Sequence, residues 1–209
     1  MDRKERIKAL IIEKSRDVFL EKGIVNTVMN DIALSVDLSV RTIYRYFPTK
    51  EDIAYEIIIE LINEWNNYQK LVFDELKGSG LRRLELFLNS LILNMSKKPE
   101  VMRYISEFDF YFNDRVVVTI SLDHQKRFND IILKSDYLIE SIIELGKKDG
   151  SIKQGTDTQL MVATISNVLW SFGQRIAIRG EIIKKESGFD GIELIKHQVE
   201  IYIKHIKEV

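Results

Sequence analysis

What most constrains this chain is how few helix-breaking residues it contains. Pro48 and Pro99 are the only prolines in 209 residues, and apart from Gly23 the ten glycines gather at 78–80, 146–155, 173–180 and 188–191. Between those breaks the apolar residues recur every three or four positions, the period of a helix and not the alternation of a strand. Ile7, Leu10, Ile11, Val18 and Phe19 share one face of a first helix, which a left-handed Gly23 is expected to end. Thr49 and Asp52 stand at capping-box spacing behind Pro48, so a long helix is expected from there to about Lys77. Further helices are expected over about 81–97, 99–112, 116–147, 156–179 and 189–207. The first of these is apolar almost all round and should be central. Val116, Val117 and Val118 form a run too short to build a sheet. The expected fold is all-α, with short helices before residue 50 and long ones after it. That asymmetry suggests an N-terminal three-helix module followed by a larger helical bundle.

Composition removes several classes of chemistry. Cysteine is absent, so disulfides and thiol catalysis are excluded, and His124, His197 and His205 are too scattered for a histidine metal site. No H-x-x-x-H, G-x-S-x-G or phosphate loop occurs, and nothing marks Asp109 and Asp114 as a catalytic pair. The expectation is a non-enzyme without a cofactor. The N-terminus MDRKERIKAL lacks the pattern of a signal peptide, and no run of about eighteen apolar residues occurs, so a cytoplasmic protein without a membrane partner is expected. The net charge of −1 is not evenly spread: residues 1–50 carry +3 and residues 51–209 carry −4.

The basic end holds the informative segment, TVMNDIALSVDLSVRTIYRYF, at residues 27–47. Thr27 is placed to cap a helix whose buried face is Met29, Ile32, Ala33 and Val36. Asp37 tolerates the left-handed turn that follows, Leu38 plugs the corner, and Ser39 caps a second short helix with Ile43 and Phe47 inward. Two short helices sharing one apolar face across a tight turn make a helix-turn-helix. The outward face of the second is Val40, Arg41, Thr42, Tyr44, Arg45 and Tyr46. Arginine pairs with guanine in the major groove and valine packs on a thymine methyl. Threonine and tyrosine hydroxyls suit phosphates, as do a cation and free amides where Lys50 opens the next helix.

With its flanks this segment resembles the TetR family of bacterial transcriptional repressors. The signature stands as Phe19 and Gly23, then Thr27 with Ile32-Ala33, then Ser39-Val40-Arg41-Thr42-Ile43-Tyr44-Arg45-Tyr46-Phe47-Pro48-Thr49-Lys50-Glu51, and the likeness covers about residues 4–64. Val36 and Asp37 stand where the family usually has Ala-Gly. The resemblance implies base reading by Val40, Arg41 and Arg45, and phosphate contacts by Thr27, Thr42, Tyr44, Tyr46 and Lys50. Val28 replaces a hydroxyl that holds a further phosphate in many members. It also implies a helix-turn-helix domain at 1–50 and a helical regulatory and dimerisation domain at 51–209. The expected function is a homodimeric repressor released from a palindromic, double-stranded operator by a small-molecule effector. The alternative is a DNA binder of the same fold that answers to a protein partner or to no ligand.

The larger half is less explicit. Ala163, Ser166, Trp170, Gly173, Ala177 and Gly180 fall at intervals of three and four, a mostly small stripe on which another helix can pack. Residues Ala163 to Ala177 of that stripe are the candidate dimer interface; packing within its own subunit is the other reading. Trp65, Phe87, Tyr104, Phe108, Tyr111 and Phe128 are candidates to line a pocket for an apolar or aromatic effector, or else belong to the core. Glu107 and Asp109 beside that run are carboxylates that a cationic ligand or Arg103 would pair.

Overall fold

The structure, a computed structural model, describes residues 2–114, 121–132 and 136–208. Ten helices occur among them: α1 Arg3–Asn26, α2 Met29–Ser35, α3 Val40–Tyr46, α4 Lys50–Glu75, α5 Gly80–Lys97, α6 Pro99–Asp114, α7 Leu122–Ile132, α8 Asp136–Lys148, α9 Thr158–Ser187 and α10 Gly191–Ile206. No strand accompanies them among the described residues, and one isolated bridge pairs Ile152 with Lys207. The all-α expectation holds. Val116 to Val118 lie outside the described residues, and the helix expected over 116–147 is represented by α7 and α8.

Local chemistry explains most of the helix ends. Asp2 and Glu5 form a reciprocal capping box at the start of α1, with both bonds at 2.8 Å. Thr49 and Asp52 do the same before α4: each main-chain N–H reaches the other's side-chain oxygen at 3.1 Å. Gly23 does not end α1 as a left-handed cap. Its φ of 78° comes with ψ of 170°, which kinks the helix and lets one more turn run on to Asn26. Helix α9 likewise passes the position where it was expected to stop. Arg179 is locally irregular at φ −127°, ψ 16°, yet the helix continues through Gly180 because Ile183 is buried beyond it. Gly188, at φ 79° and ψ −2°, supplies the left-handed cap.

The chain divides into two compact units, residues 1–63 with 103–132 and residues 64–102 with 133–209. In the first, Ile11, Phe19 and Ile24 of α1, Ile32 of α2, Ile43 of α3, Ile53 and Ile57 of α4, and Tyr104 of α6 are buried. In the second, Leu84, Phe87, Leu88 and Leu91 of α5 lie in a core with Ile142 and Ile143 of α8, Ile165 and Leu169 of α9, and Ile195 and Val199 of α10. The start of α5 presses closely on the end of α8. A Cβ at Gly80 would land on the backbone of Gly146. The free amides at that end are satisfied from the α8–α9 connection, Gly80 N–H donating to Asp149 Oδ2 at 2.7 Å and Leu81 N–H to Ser151 Oγ at 3.0 Å. Hydrogen bonds from Ser151 and from the Gly80 amide hold the Asp149 carboxyl below its ordinary pKa.

Candidate nucleic-acid interface

Helices α2 and α3 meet across a turn in which Leu38 N–H donates to the Ala33 carbonyl at 3.0 Å. Asp37 adopts φ 54°, the left-handed value expected of it. Ser39 caps α3, accepting from Thr42 N–H at 3.1 Å, and its hydroxyl also lies 2.9 Å from Thr42 Oγ1. Ile43 and Phe47 are buried, which turns the opposite face of α3 outward. Arg41, Tyr44 and Arg45 are exposed, while Val40, Thr42 and Tyr46 are half-buried beside them. The Arg45 guanidinium lies 5.1 Å from the centroid of the Tyr46 ring, a cation–π contact that restrains a long side chain. Arg41, Tyr44 and Arg45 therefore share the exposed side of one helix, with Val40, Thr42 and Tyr46 at its margins.

Two expected phosphate contacts are placed otherwise. Thr27 is fully buried, and its hydroxyl donates to the Gly23 carbonyl at 2.6 Å across the α1 kink. It does not cap α2. Val28 holds the cap position, and the Asp31 carboxylate does the capping, accepting from Val28 N–H at 3.2 Å. Lys22 pairs with Asp31 at 2.7 Å, and this hydrogen bond holds the Asp31 carboxyl below its ordinary pKa. Lys50 turns back toward α1. Its ammonium donates to the carbonyls of Ile24 at 2.6 Å, Val25 at 3.2 Å and Thr27 at 2.8 Å. The last turn of a helix leaves such carbonyls unpaired, and a cation is favoured at that end.

One contributor to this region is not marked by any local motif. Glu107, on α6, accepts from Val25 N–H at 3.0 Å, and its carboxylate fills the space a Cβ would need at Gly23. Tyr104 and Tyr111 flank it on the same face of α6. They donate to the Ala54 carbonyl at 2.9 Å and to Glu51 Oε1 at 2.6 Å, both on α4. Nearby, α4 is tied to α7 through Glu56. Arg127 binds that carboxylate in two-pronged fashion at 2.7 and 2.8 Å, and His124 Nε2 lies 3.1 Å away. Burial pushes the Glu56 carboxyl up, but Arg127 and His124 outweigh it and hold it below its ordinary pKa.

The aromatic candidates for a pocket are not gathered into one cavity. Phe108 and Phe128 join Phe112 around Tyr55, which meets all three edge-on, in a cluster of the first unit with ring centroids 4.5–6.2 Å apart. Tyr104 and Tyr111 are buried beside α4, and Phe87 is buried in the core of the second unit, with Trp65 packed against that core. A cavity of about 160 Å³ in the second unit is lined instead by Ile92, Met95, Gly173, Ile176, Ile192 and Ile195, among others. Its wall is aliphatic, and none of the six aromatic candidates contributes to it.

The small stripe of α9 also divides. Trp170 meets Trp65 edge-on at 5.5 Å, and Gly173 is buried with Met95 Sδ 3.0 Å from where its Cβ would be. Those two positions pack within the subunit, as does Ala177 on the cavity wall. Ala163 is exposed and Ser166 half-buried. Leu160, Val168, Ile178 and Ile182 form an exposed apolar series along α9, and Ile201 is exposed on α10. Among the described residues no helix is long and apolar enough to cross a membrane.

A family model described as bacterial regulatory proteins, tetR family, matches residues 11–57, the span from mid-α1 to the first turns of α4. Over 61 residues the chain is 33% identical to the HTH-type transcriptional regulator LuxR of Vibrio harveyi, a match covering 29% of this chain and 30% of that protein. The chain thus spans under a third of the length of that curated relative. The whole fold is similar to that of a TetR transcription regulator from Haloarcula marismortui, at 14% identity and a TM-score of 0.74, covering 96% of this chain and 98% of that one. It is also similar to the transcriptional regulator FadR from Bacillus subtilis, solved in complex with stearoyl-CoA, at 19% identity and a TM-score of 0.65 over 95% of this chain and 98% of that one. The helix-turn-helix, its exposed arginines and the match at 11–57 converge: the N-terminal module of this chain is similar to that of the bacterial regulatory proteins of the tetR family.

Proposed function

We propose that the chain is a homodimeric repressor that reads a palindromic operator with α3 and is released from it by an apolar small molecule. Residues 1–50 form the reading module and residues 51–209 the regulatory and dimerisation part. The observation that carries this reading is the outward face of α3, where Arg41, Tyr44 and Arg45 are exposed while Ile43 and Phe47 anchor the helix from behind. Val40, Arg41 and Arg45 read base edges; Thr42, Tyr44 and Tyr46 hold phosphates. A single short helix spans too few base pairs for a specific site. Two copies about a two-fold axis read half-sites roughly 34 Å apart or more.

The dimer reading is supported by the exposed Leu160, Val168, Ile178 and Ile182 of α9 with Ile201 of α10. Apolar series of this kind are covered by another helix pair in stable assemblies. The aliphatic cavity beside Gly173 suits the end of a hydrocarbon chain better than a planar aromatic molecule. FadR's acyl-CoA makes a long-chain acyl-CoA a natural first probe. Binding shifts the population toward a state whose two recognition helices no longer match successive grooves. The direct test is fluorescence anisotropy on operator duplex with Arg45→Ala. A loss of about 1–3 kcal/mol, with relaxed preference at one base pair per half-site, is expected. Unchanged operator affinity would remove Arg45 from the reading face.

A further inference from the structure

We propose that Lys50 and Glu107 are positioning residues for the recognition helix, clamping the joint between α1 and α2 from two other helices and touching no DNA themselves. The proposal rests on the reading that α3 enters the major groove. Residues 23–27 form the joint: Gly23 leaves helical geometry, the Thr27 N–H still reaches the Gly23 carbonyl at 3.2 Å, and the carbonyls of Ile24, Val25 and Thr27 lie at the helix end. An ammonium carries three N–H donors, and Lys50 directs its own toward three carbonyls of this joint, at 2.6, 3.2 and 2.8 Å. No donor is left over for a phosphate. From α6, Glu107 takes the Val25 N–H at 3.0 Å. One turn of main chain is thus held by a cation at its carbonyls and an anion at its amide, each charge supplied by a different helix.

The geometry of α6 makes Glu107 more than a local cap. Tyr104 and Tyr111 lie one turn to either side of it and bind α4 at Ala54 and Glu51. Glu107 projects between these two fixed points onto the joint. The joint ends at the buried Thr27, and then come α2, the Asp37 turn and α3, joined by two residues before α2 and four before α3. The pitch of α3 therefore follows the joint, and both half-sites are matched only when that pitch is right.

The test separates a clamp from a phosphate contact. Specific and random-sequence duplexes are titrated by anisotropy across a potassium chloride series, using wild type, Lys50→Arg, Glu107→Ala and Glu107→Gln. Arginine binds phosphate at least as well as lysine, but its planar fork cannot serve three converging carbonyls. Lys50→Arg is therefore expected to weaken specific binding about tenfold or more, the equivalent of a lost base contact, with the slope of log affinity against log salt unchanged. Glu107→Ala should do the same, and Glu107→Gln, which still accepts from Val25 N–H, should restore most of the loss. Circular dichroism melts on each variant guard against unfolding, and Lys50→Arg retains charge and bulk should a harsher change not fold. Wild-type affinity in Lys50→Arg would overturn the clamp, as would a slope shallower by about 0.9 per lost contact when Lys50→Ala is titrated in the same series. Full operator affinity in Glu107→Ala would overturn the role of Glu107. Absence of any sequence preference in the wild type would instead defeat the DNA-reading assignment itself.

Discussion

At the scale of single residues, the reading head is built from short-range chemistry and misread where the chemistry is long-range. Ser39, Thr42, Thr49 and Asp52 satisfy each other's turns over three residues, so their roles are visible in the sequence. Ser39→Ala should cost about 1 kcal/mol in urea denaturation by leaving the Thr42 amide unpaired; no change in midpoint would show the cap to be dispensable. Lys50 reads in the sequence as a phosphate ligand because a cation and free amides coincide at the start of α4. Its partners lie 23 to 26 residues upstream, and nothing in local spacing announces them. Thr27 was misplaced for a related reason. At the kink the Gly23 carbonyl accepts both the Thr27 main-chain N–H and its hydroxyl, and Asp31 takes over the capping. Glu107 was visible as a carboxylate beside an aromatic run, but its partner stands 82 residues away.

At the scale of elements, periodicity located the helices and breakers located most of their ends. The exceptions, Gly23 and Gly180, lie within α1 and α9, because burial of Ile24 beyond the first and Ile183 beyond the second outweighs the cost of a helical glycine. The contact of α5 with α8 was not legible, since it depends on two glycines 66 positions apart. Gly80→Ala should destabilise by about 1–3 kcal/mol, because the added methyl meets backbone and not a flexible side chain; a neutral melt would contradict that packing. The α4–α7 tie gives a pH signature. Glu56 has a folded pKa below its ordinary value of 4.5, so its pairing with Arg127 is fully present above that pH. It is lost as the pH falls through the lowered folded value. Removing Glu56 with Glu56→Gln should cost about 1 kcal/mol at neutral pH, a modest figure because Arg127 is part-exposed, and should flatten the acid limb as the pH falls below the ordinary glutamate value. Parallel acid limbs for the two proteins would show that Glu56 carries none of that dependence.

At the scale of the whole molecule, the sequence distinguished a modestly basic head of +3 from an acidic remainder of −4. It left two uses open for the small stripe of α9. Small residues at Gly173 and Ala177 pack within the subunit, and the exposed apolar series runs along a different face. Helical spacing alone cannot decide between those uses, since both need a regular stripe. Ile178→Asp should therefore halve the sedimenting mass at micromolar concentration while helical content stays intact; an unchanged mass would exclude this face from the dimer. The central claim is that two copies of α3 read sequence together. Selection of bound duplexes from a random pool by the intact chain tests it most directly. The predicted outcome is a single enriched palindrome with half-sites about one helical turn apart or more, whose recovery is lost in Arg45→Ala. A pool that stays random at moderate salt, or enrichment of one unpaired half-site, would contradict the account.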